Sequence, residues 1–289
     1  MGQSLTRTVV VLIGAGRVGT AVALLLQRAG HRIACVGPPD RPSSVRAARM
    51  LRTELCRIDS LPHADAVLLG APEDAIRQLA IDLSASLRRG ALVVHFSGAV
   101  GLDPLAAVRS AGAIPCALHP VQACPDVETA LRRLPGSAWG VTCPALARHR
   151  AESLVEEVGG VPVAVADSDR ALWHAAAAVV ANGTSALLAA GEAMLTAMDV
   201  PTPSAVLGPL ASGAVANARE LGAAATLTGP VVRGDVDVVR RHLAALQERA
   251  PQLVTDYRKA ALLTLSTARA AGRVDRDSYA QLHETLMGQ

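Results

Sequence analysis

The sequence predicts an α/β protein: a doubly wound, mostly parallel sheet over residues 1–167, followed by an all-helical second domain over residues 168–289. Three observations lead there. Short β-branched runs alternate with helical stretches in the first part, which is the rhythm of parallel crossovers. The glycine-rich turn Gly14-Ala15-Gly16-Arg17-Val18-Gly19 joins the first of these runs to the first helical stretch. Beyond Asp167 the alternation stops, and only helical patterns follow, punctuated by Pro and Gly.

In order, the β-branched run at 8–13 reads as a buried strand, and 17–29 as a helix stopped by Gly30. Residues 31–36 form the next strand and 43–51 a helix; 66–70 is a strand and 74–87 a helix. A strand at 91–96, a helix at 104–111 and a strand at 113–118 continue the pattern. Two further strands, 138–142 and 161–166, flank a helix at 145–158. The stretch 169–198 contains no proline and stays rich in alanine and leucine, so it reads as one helix of about eight turns. Helical patterns recur at 204–221, 235–250, 251–271 and 276–286. Between two of them Gly229-Pro230 can only be a turn, and Asp235 is placed to cap the helix that follows.

Composition narrows the class. With 289 residues, 51% of them hydrophobic and 18% charged, the chain has a substantial core and is neither disordered nor fibrous. Every long apolar run is broken by Gly, Pro or a polar residue, and the run at 9–13 leads into a glycine turn rather than a cleavage site. A cytoplasmic protein without a membrane partner is expected. The net charge of +3 comes from dispersed arginines, and aromatics are 2%, so nucleic acid is not an expected partner. Five scattered cysteines without a CxxC pair read as reduced core thiols, with no metal site. Cys116 and Cys124, which flank a His-Pro, are candidates to border a pocket. Lys259 is the only lysine, which excludes lysine chemistry everywhere else.

The glycine turn is the first chemical signal. Gly14 allows a tight turn, Gly16 lets a pyrophosphate approach the backbone, and Gly19 permits close packing of helix on strand. Phosphates would sit at the positive helix N-terminus beside Ala15, Val18 and Arg17, which can add a charge. The end of the second strand decides which dinucleotide binds. An NAD site places an acid there, whereas this chain has Cys35-Val36-Gly37, with Asp40 arriving beyond two prolines. Arg41, Ser43, Ser44 and Arg46 then suit a 2′-phosphate, so NADP is expected ahead of NAD.

Ligands in open α/β sheets collect outside the carboxyl ends of the strands. Ala71-Pro72-Glu73-Asp74 follows the strand at 66–70 and is expected against the cofactor. Ser97 follows the strand at 91–96 beside small residues, and His119 follows the strand at 113–118, where a nicotinamide ring should lie. On the long helix His174 and Asn182 are roughly 80° apart around the axis and about 12 Å apart along it, so both can border one cleft. The bland alternative is a polar pair satisfied inside a helical bundle. Arg233 sits on a short, stiffened connection, as a salt bridge, a carbonyl cap or a grip on an anionic ligand. Arg-Gly-Asp adhesion would need secretory features that are not seen.

Taken together, GAGRVG, the APED turn, HFSGA, LHP, the WHAAA…N helix and the TGPVVRGD segment occur in this order. The set resembles a family of Rossmann-like NAD(P)-dependent oxidoreductases whose C-terminal half belongs to the 6-phosphogluconate-dehydrogenase-like helical group, over about residues 8–270. Related architectures include ketopantoate reductases, β-hydroxyacid dehydrogenases, deazaflavin-dependent NADP reductases and prephenate dehydrogenases. The first two use a lysine on the interdomain helix as acid. This chain has His174 there and no lysine. Prephenate dehydrogenases are similar in kind, with a Ser after one strand, a His-Pro after the next and an arginine from the helical domain. Ser97, His119 and Arg233 match those positions.

The resemblance implies hydride transfer between NADP and a small carbonyl or imine carbon. His119 or His174 would move the proton, with His119 preferred because a strand end is the more rigid mount. Ser97 and Asn182 would polarise the substrate oxygen or hold the nicotinamide, and Arg233 would grip a carboxylate across the cleft. A homodimer burying helical-domain surface is expected. The alternative from another class is a non-catalytic NADP-binding sensor, which would have no use for that polar set.

Overall fold

Among the described residues, eight strands form one sheet in the computed structural model, which describes residues 8–58 and 63–288. In chain order they are β1 (Val9–Ile13), β2 (Arg32–Val36), β3 (Leu55–Cys56), β4 (Ala66–Leu69), β5 (Leu92–His95), β6 (Ile114–Pro120), β7 (Ala138–Thr142) and β8 (Val161–Ala164). Across the sheet the order is β3-β2-β1-β4-β5-β6-β7-β8. All neighbours are parallel except β6 and β7. The chain moves outward from β1 to β3 and then returns to β4 on the other side of β1. That reversal opens a crevice at the carboxyl ends of β1 and β4.

Alternation along the strands divides the core into two layers, as a parallel sheet covered on both faces requires. Val10, Leu12, Leu68 and Val94 face α1 (Arg17–Arg28), α2 (Pro42–Leu51), α5 (Val127–Arg133) and α6 (Arg148–Glu157). Val11, Ile13, Leu69 and Val93 face α3 (Glu73–Leu83) and α4 (Ala106–Ser110). The long helix α7 (Arg170–Thr196) follows, then α8 (Pro203–Leu221), α9 (Val236–Arg249), α10 (Val254–Ala270) and α11 (Arg276–Met287).

Two expectations are corrected. Neither β3 nor α5 was anticipated. A two-residue edge strand carries no periodicity, and α5 is a short helix fixed by its cap, Asp126, which accepts from the Thr129 amide at 2.7 Å. The helix expected to run to 87 ends at Leu83 in a 3₁₀ turn.

The chain divides into two compact units, Met1–Ala178 and Val179–Gln289. The first turns of α7 belong to the sheet-bearing unit because Arg170, 1% exposed, donates to the carbonyls of Gly140 and Ser97. By length and a mean hydropathy of 1.3, Asp167–Thr196 could cross a membrane, a longer apolar helix than the broken runs of the sequence suggested. Its start is pinned to the sheet instead.

The second unit has its own core. Val231 and Val232 of the Gly229-Pro230 turn pack with Val239, Ala261, Leu265 and Leu282. Asp235 caps α9, accepting from the Val238 amide at 3.3 Å. Arg273 donates to the carbonyls of Ala224, Ala225 and Leu227 and so fixes the approach to the turn. By contrast α8 contains no buried residue.

Candidate functional site

β1 runs straight into the glycine turn. Gly14 has a φ of +78°, open to glycine at little cost, and a Cβ there would lie 2.9 Å from the Gly70 carbonyl oxygen. The Gly16 amide donates to that same oxygen at 2.8 Å, which ties the turn to the end of β4. Gly16 is also the N-cap of α1 and has no side chain, so the amides of the first helical turn are left for an anion. Ala15 and Val18 pack partly into the core. Arg17 is exposed and donates to the Pro125 carbonyl at 3.1 Å, reaching the loop after β6.

From this turn the crevice opens in two directions. On one side, a cavity of about 420 Å³ is lined by Gly14, Gly37, Arg41, Arg57, Ala71 and Pro72 among others. β2 ends there without an acidic residue. Of the four groups expected to receive a 2′-phosphate, Arg41 lines this cavity. Ser44 is 2% exposed, and a Cβ on Gly37 would come 2.5 Å from its hydroxyl, so it packs beneath the loop. Ser43 is half-buried, and Arg46 lines a separate depression with Asp40 and Arg49. Arg57 gave no signal in the sequence because it follows β3, the strand that sequence pattern does not show.

On the other side, a cavity of about 570 Å³ is lined by Gly16, Ala71, Ser97, His119, Cys124 and His174 among others. Ala71 and Pro72 line both cavities. Cys116, by contrast, is wholly buried in the core. Ser97 donates its hydroxyl to Glu73, the first residue of α3, at 2.5 Å. The loop carrying Ser97 is shaped from below by His95. Its Nδ1 accepts from the Ser97 amide at 3.3 Å, and its Nε2 bonds the Gly101 carbonyl at 2.9 Å, so the ring is neutral with the proton on Nε2. Burial pushes its pKa down to about 4.

Gly98 explains the absence of a side chain after Ser97. A Cβ there would meet His174 Cδ2 at 2.4 Å and His119 Nε2 at 2.8 Å. The two imidazoles stand edge to face, with ring centroids 5.6 Å apart. His119 Nδ1 receives the indole N–H of Trp173 at 3.1 Å. Burial, the Arg170 guanidinium and His174 together lower the His119 pKa to about 4. At neutral pH His119 is therefore uncharged. Arg170 is itself lowered to about 10 by burial, against the pull of Asp167, and stays charged. Trp173 and Arg170 were not legible in the sequence, since helical spacing does not say what an indole or a guanidinium reaches.

The structure thus gathers Ser97, His119 and His174. Asn182 and Arg233 belong to the second unit. Asn182 is exposed on α7. Arg233 is exposed on its turn, and its side chain makes no hydrogen bond or ion pair among the described residues.

Comparison with known proteins agrees with this architecture. Residues 2–120 match the Rossmann-like domain family, and residues 137–264 match the domain of unknown function DUF2520. No curated protein matches the sequence. Among solved structures, a candidate NADP oxidoreductase of Bacteroides fragilis is similar with 20% identity and a TM-score of 0.74, covering 91% of this chain and 100% of that one. A Thermotoga maritima protein is similar with 20% identity and a TM-score of 0.72, covering 91% and 99%. Prephenate dehydrogenase of A. aeolicus, solved with hydroxyphenyl propionate and NAD+, is 21% identical with a TM-score of 0.52, covering 70% and 73%. At such identities the likeness establishes a shared fold. The chain is thus similar to a Rossmann-like domain over residues 2–120 and to DUF2520 over residues 137–264, in the order that its motifs suggest.

Proposed function

We propose that the protein is an NADP-dependent oxidoreductase acting on a small carbonyl or imine compound that carries an anionic group. The observation that carries this reading is the run of one crevice from an arginine-lined cavity, past the glycine turn, to Ser97, His119 and His174. When bound, NADPH supplies the hydride; the other tasks belong to the chain. The substrate C=O or C=N carbon gains the hydride, its oxygen or nitrogen gains one proton, and the oxidised nicotinamide is released.

The preference for NADP rests on Arg41 in the loop after β2 and Arg57 after β3, and on β2 ending without an acidic residue for the ribose hydroxyls. His174 is assigned the proton and His119 the substrate oxygen or nitrogen. Ser97, held by Glu73, orients the nicotinamide end. Asn182 is assigned a polarising role and Arg233 the substrate anion. Arg233 is exposed on a capped turn, and its guanidinium is unpaired among the described residues, which leaves it available to an anion. A sensor would need no such polar set.

Calorimetry with NADPH and NADH, followed by a screen of small keto acids and cyclic imines for loss of nicotinamide absorbance, tests the reading. Tighter binding of NADPH and turnover of at least one substrate are expected. Failure to bind either nucleotide would overturn it.

A further inference from the structure

We propose that Trp173 holds His119 in a single neutral form with its proton on Nε2, making it a fixed hydrogen-bond donor to the reacting substrate atom. This rests on the oxidoreductase reading for the identity of that atom. The tautomer itself stands on geometry alone.

An indole N–H can only donate, so the nitrogen it meets must carry a lone pair. The Trp173 N–H meets His119 Nδ1 at 3.1 Å. In the neutral ring the proton is then on Nε2, the atom beside Gly98 in the cavity wall. Protonating His119 would set two N–H groups against each other and break this bond. The indole lies close against the sheet. A Cβ on Gly140 would come 2.7 Å from the indole, and Gly140 is the residue paired with His119 across β6 and β7. One glycine of β7 thus makes the room in which the indole reaches its cross-strand neighbour.

The charged and titratable groups around the ring work in the same direction or stand apart. Arg170 and His174, both on α7, disfavour a second positive charge. Glu73, across the cavity, is engaged by Ser97, and His95 is turned to the Ser97 amide and the Gly101 carbonyl. A neutral donor polarises a carbonyl or imine without giving up its proton, so His119 aligns and activates while the proton arrives by another route.

Histidine-ring ¹H–¹⁵N spectra of the intact protein test this, with His119 assigned by its loss in His119→Gln. A pyridine-like Nδ1 and a pyrrole-like Nε2, unchanged from pH 8 to about pH 5.5, are expected. Trp173→Phe should bring mixed tautomers and protonation at higher pH. An Nδ1–H form, or a charged ring at pH 6.5 in the wild type, would overturn the proposal. That wild-type spectrum decides even if Trp173→Phe misfolds. With a substrate in hand, His119→Gln, which keeps an N–H at the Nε2 position, should retain rate within about tenfold, whereas His119→Ala should lose roughly 10²-fold or more. Equal losses in the two variants with intact NADPH binding would also overturn it. An inactive screen with the expected spectrum would sink the oxidoreductase reading alone.

Discussion

His95 and His119 both carry pKa values lowered to about 4, and the consequence for stability has a definite sign. Each binds a proton more readily in the unfolded chain, near 6.5, than in the folded one. Stability is therefore full above about pH 6.5 and falls as pH drops from there toward 4. For His95, wholly buried, the loss approaches roughly 3 kcal/mol, with His119 adding in the same direction. Melting temperature measured from pH 7 to 4 should fall steeply, and His95→Asn should be less stable at pH 7 but show a shallower fall. A second prediction concerns Gly98: Gly98→Ala should displace both imidazoles, lower the melting temperature and cut turnover at least tenfold. The third belongs to Arg233. If it grips a carboxylate, Arg233→Lys should raise the Michaelis constant almost as much as Arg233→Ala, because a point charge cannot reproduce the planar fork. A lowered melting temperature with normal kinetics would make it a structural residue instead. Ser97, His119 and His174 were legible from strand-end and helix positions. The partners that set their chemistry, Trp173, Arg170 and Glu73, depend on side-chain reach that no spacing encodes.

At the scale of elements, the proposed function makes the loop from β2 to α2 the selector of the nucleotide. Arg41→Ala should erase most of the preference for NADPH over NADH, whereas Arg46→Ala, on a separate depression, should leave it nearly unchanged; calorimetry on the two variants separates them. Helices of the second unit make a different prediction. Val179, Val180, Val206 and Leu210 are each more than half exposed, and α8 buries nothing. Apolar helix faces of this extent mark an interaction surface. A second copy of the chain is expected to cover them, giving a dimer by light scattering that Leu210→Glu shifts toward monomer. Long periodic helices and the β-branched strands were read correctly because each repeats its pattern over several residues. The edge strand β3 and the helix α5 were not, because one is too short and the other depends on a single cap. Missing β3 also hid Arg57.

The whole molecule keeps the two-part plan that its rhythm implied, but the joint lies inside a helix. α7 runs unbroken from Arg170 to Thr196, with no proline to absorb a displacement. Its first turns carry Arg170, Trp173 and His174, and its later turns carry Val179, Val180 and Leu187, all three exposed. Nucleotide at the first turns and a second copy on the later ones would both draw on one helix, so the two binding equilibria would be linked. Such linkage is reciprocal: whatever factor by which nucleotide tightens assembly, assembly must tighten nucleotide binding by the same factor. NADPH affinity measured across a dilution series should therefore vary with protein concentration, and Leu210→Glu on α8 should flatten that dependence.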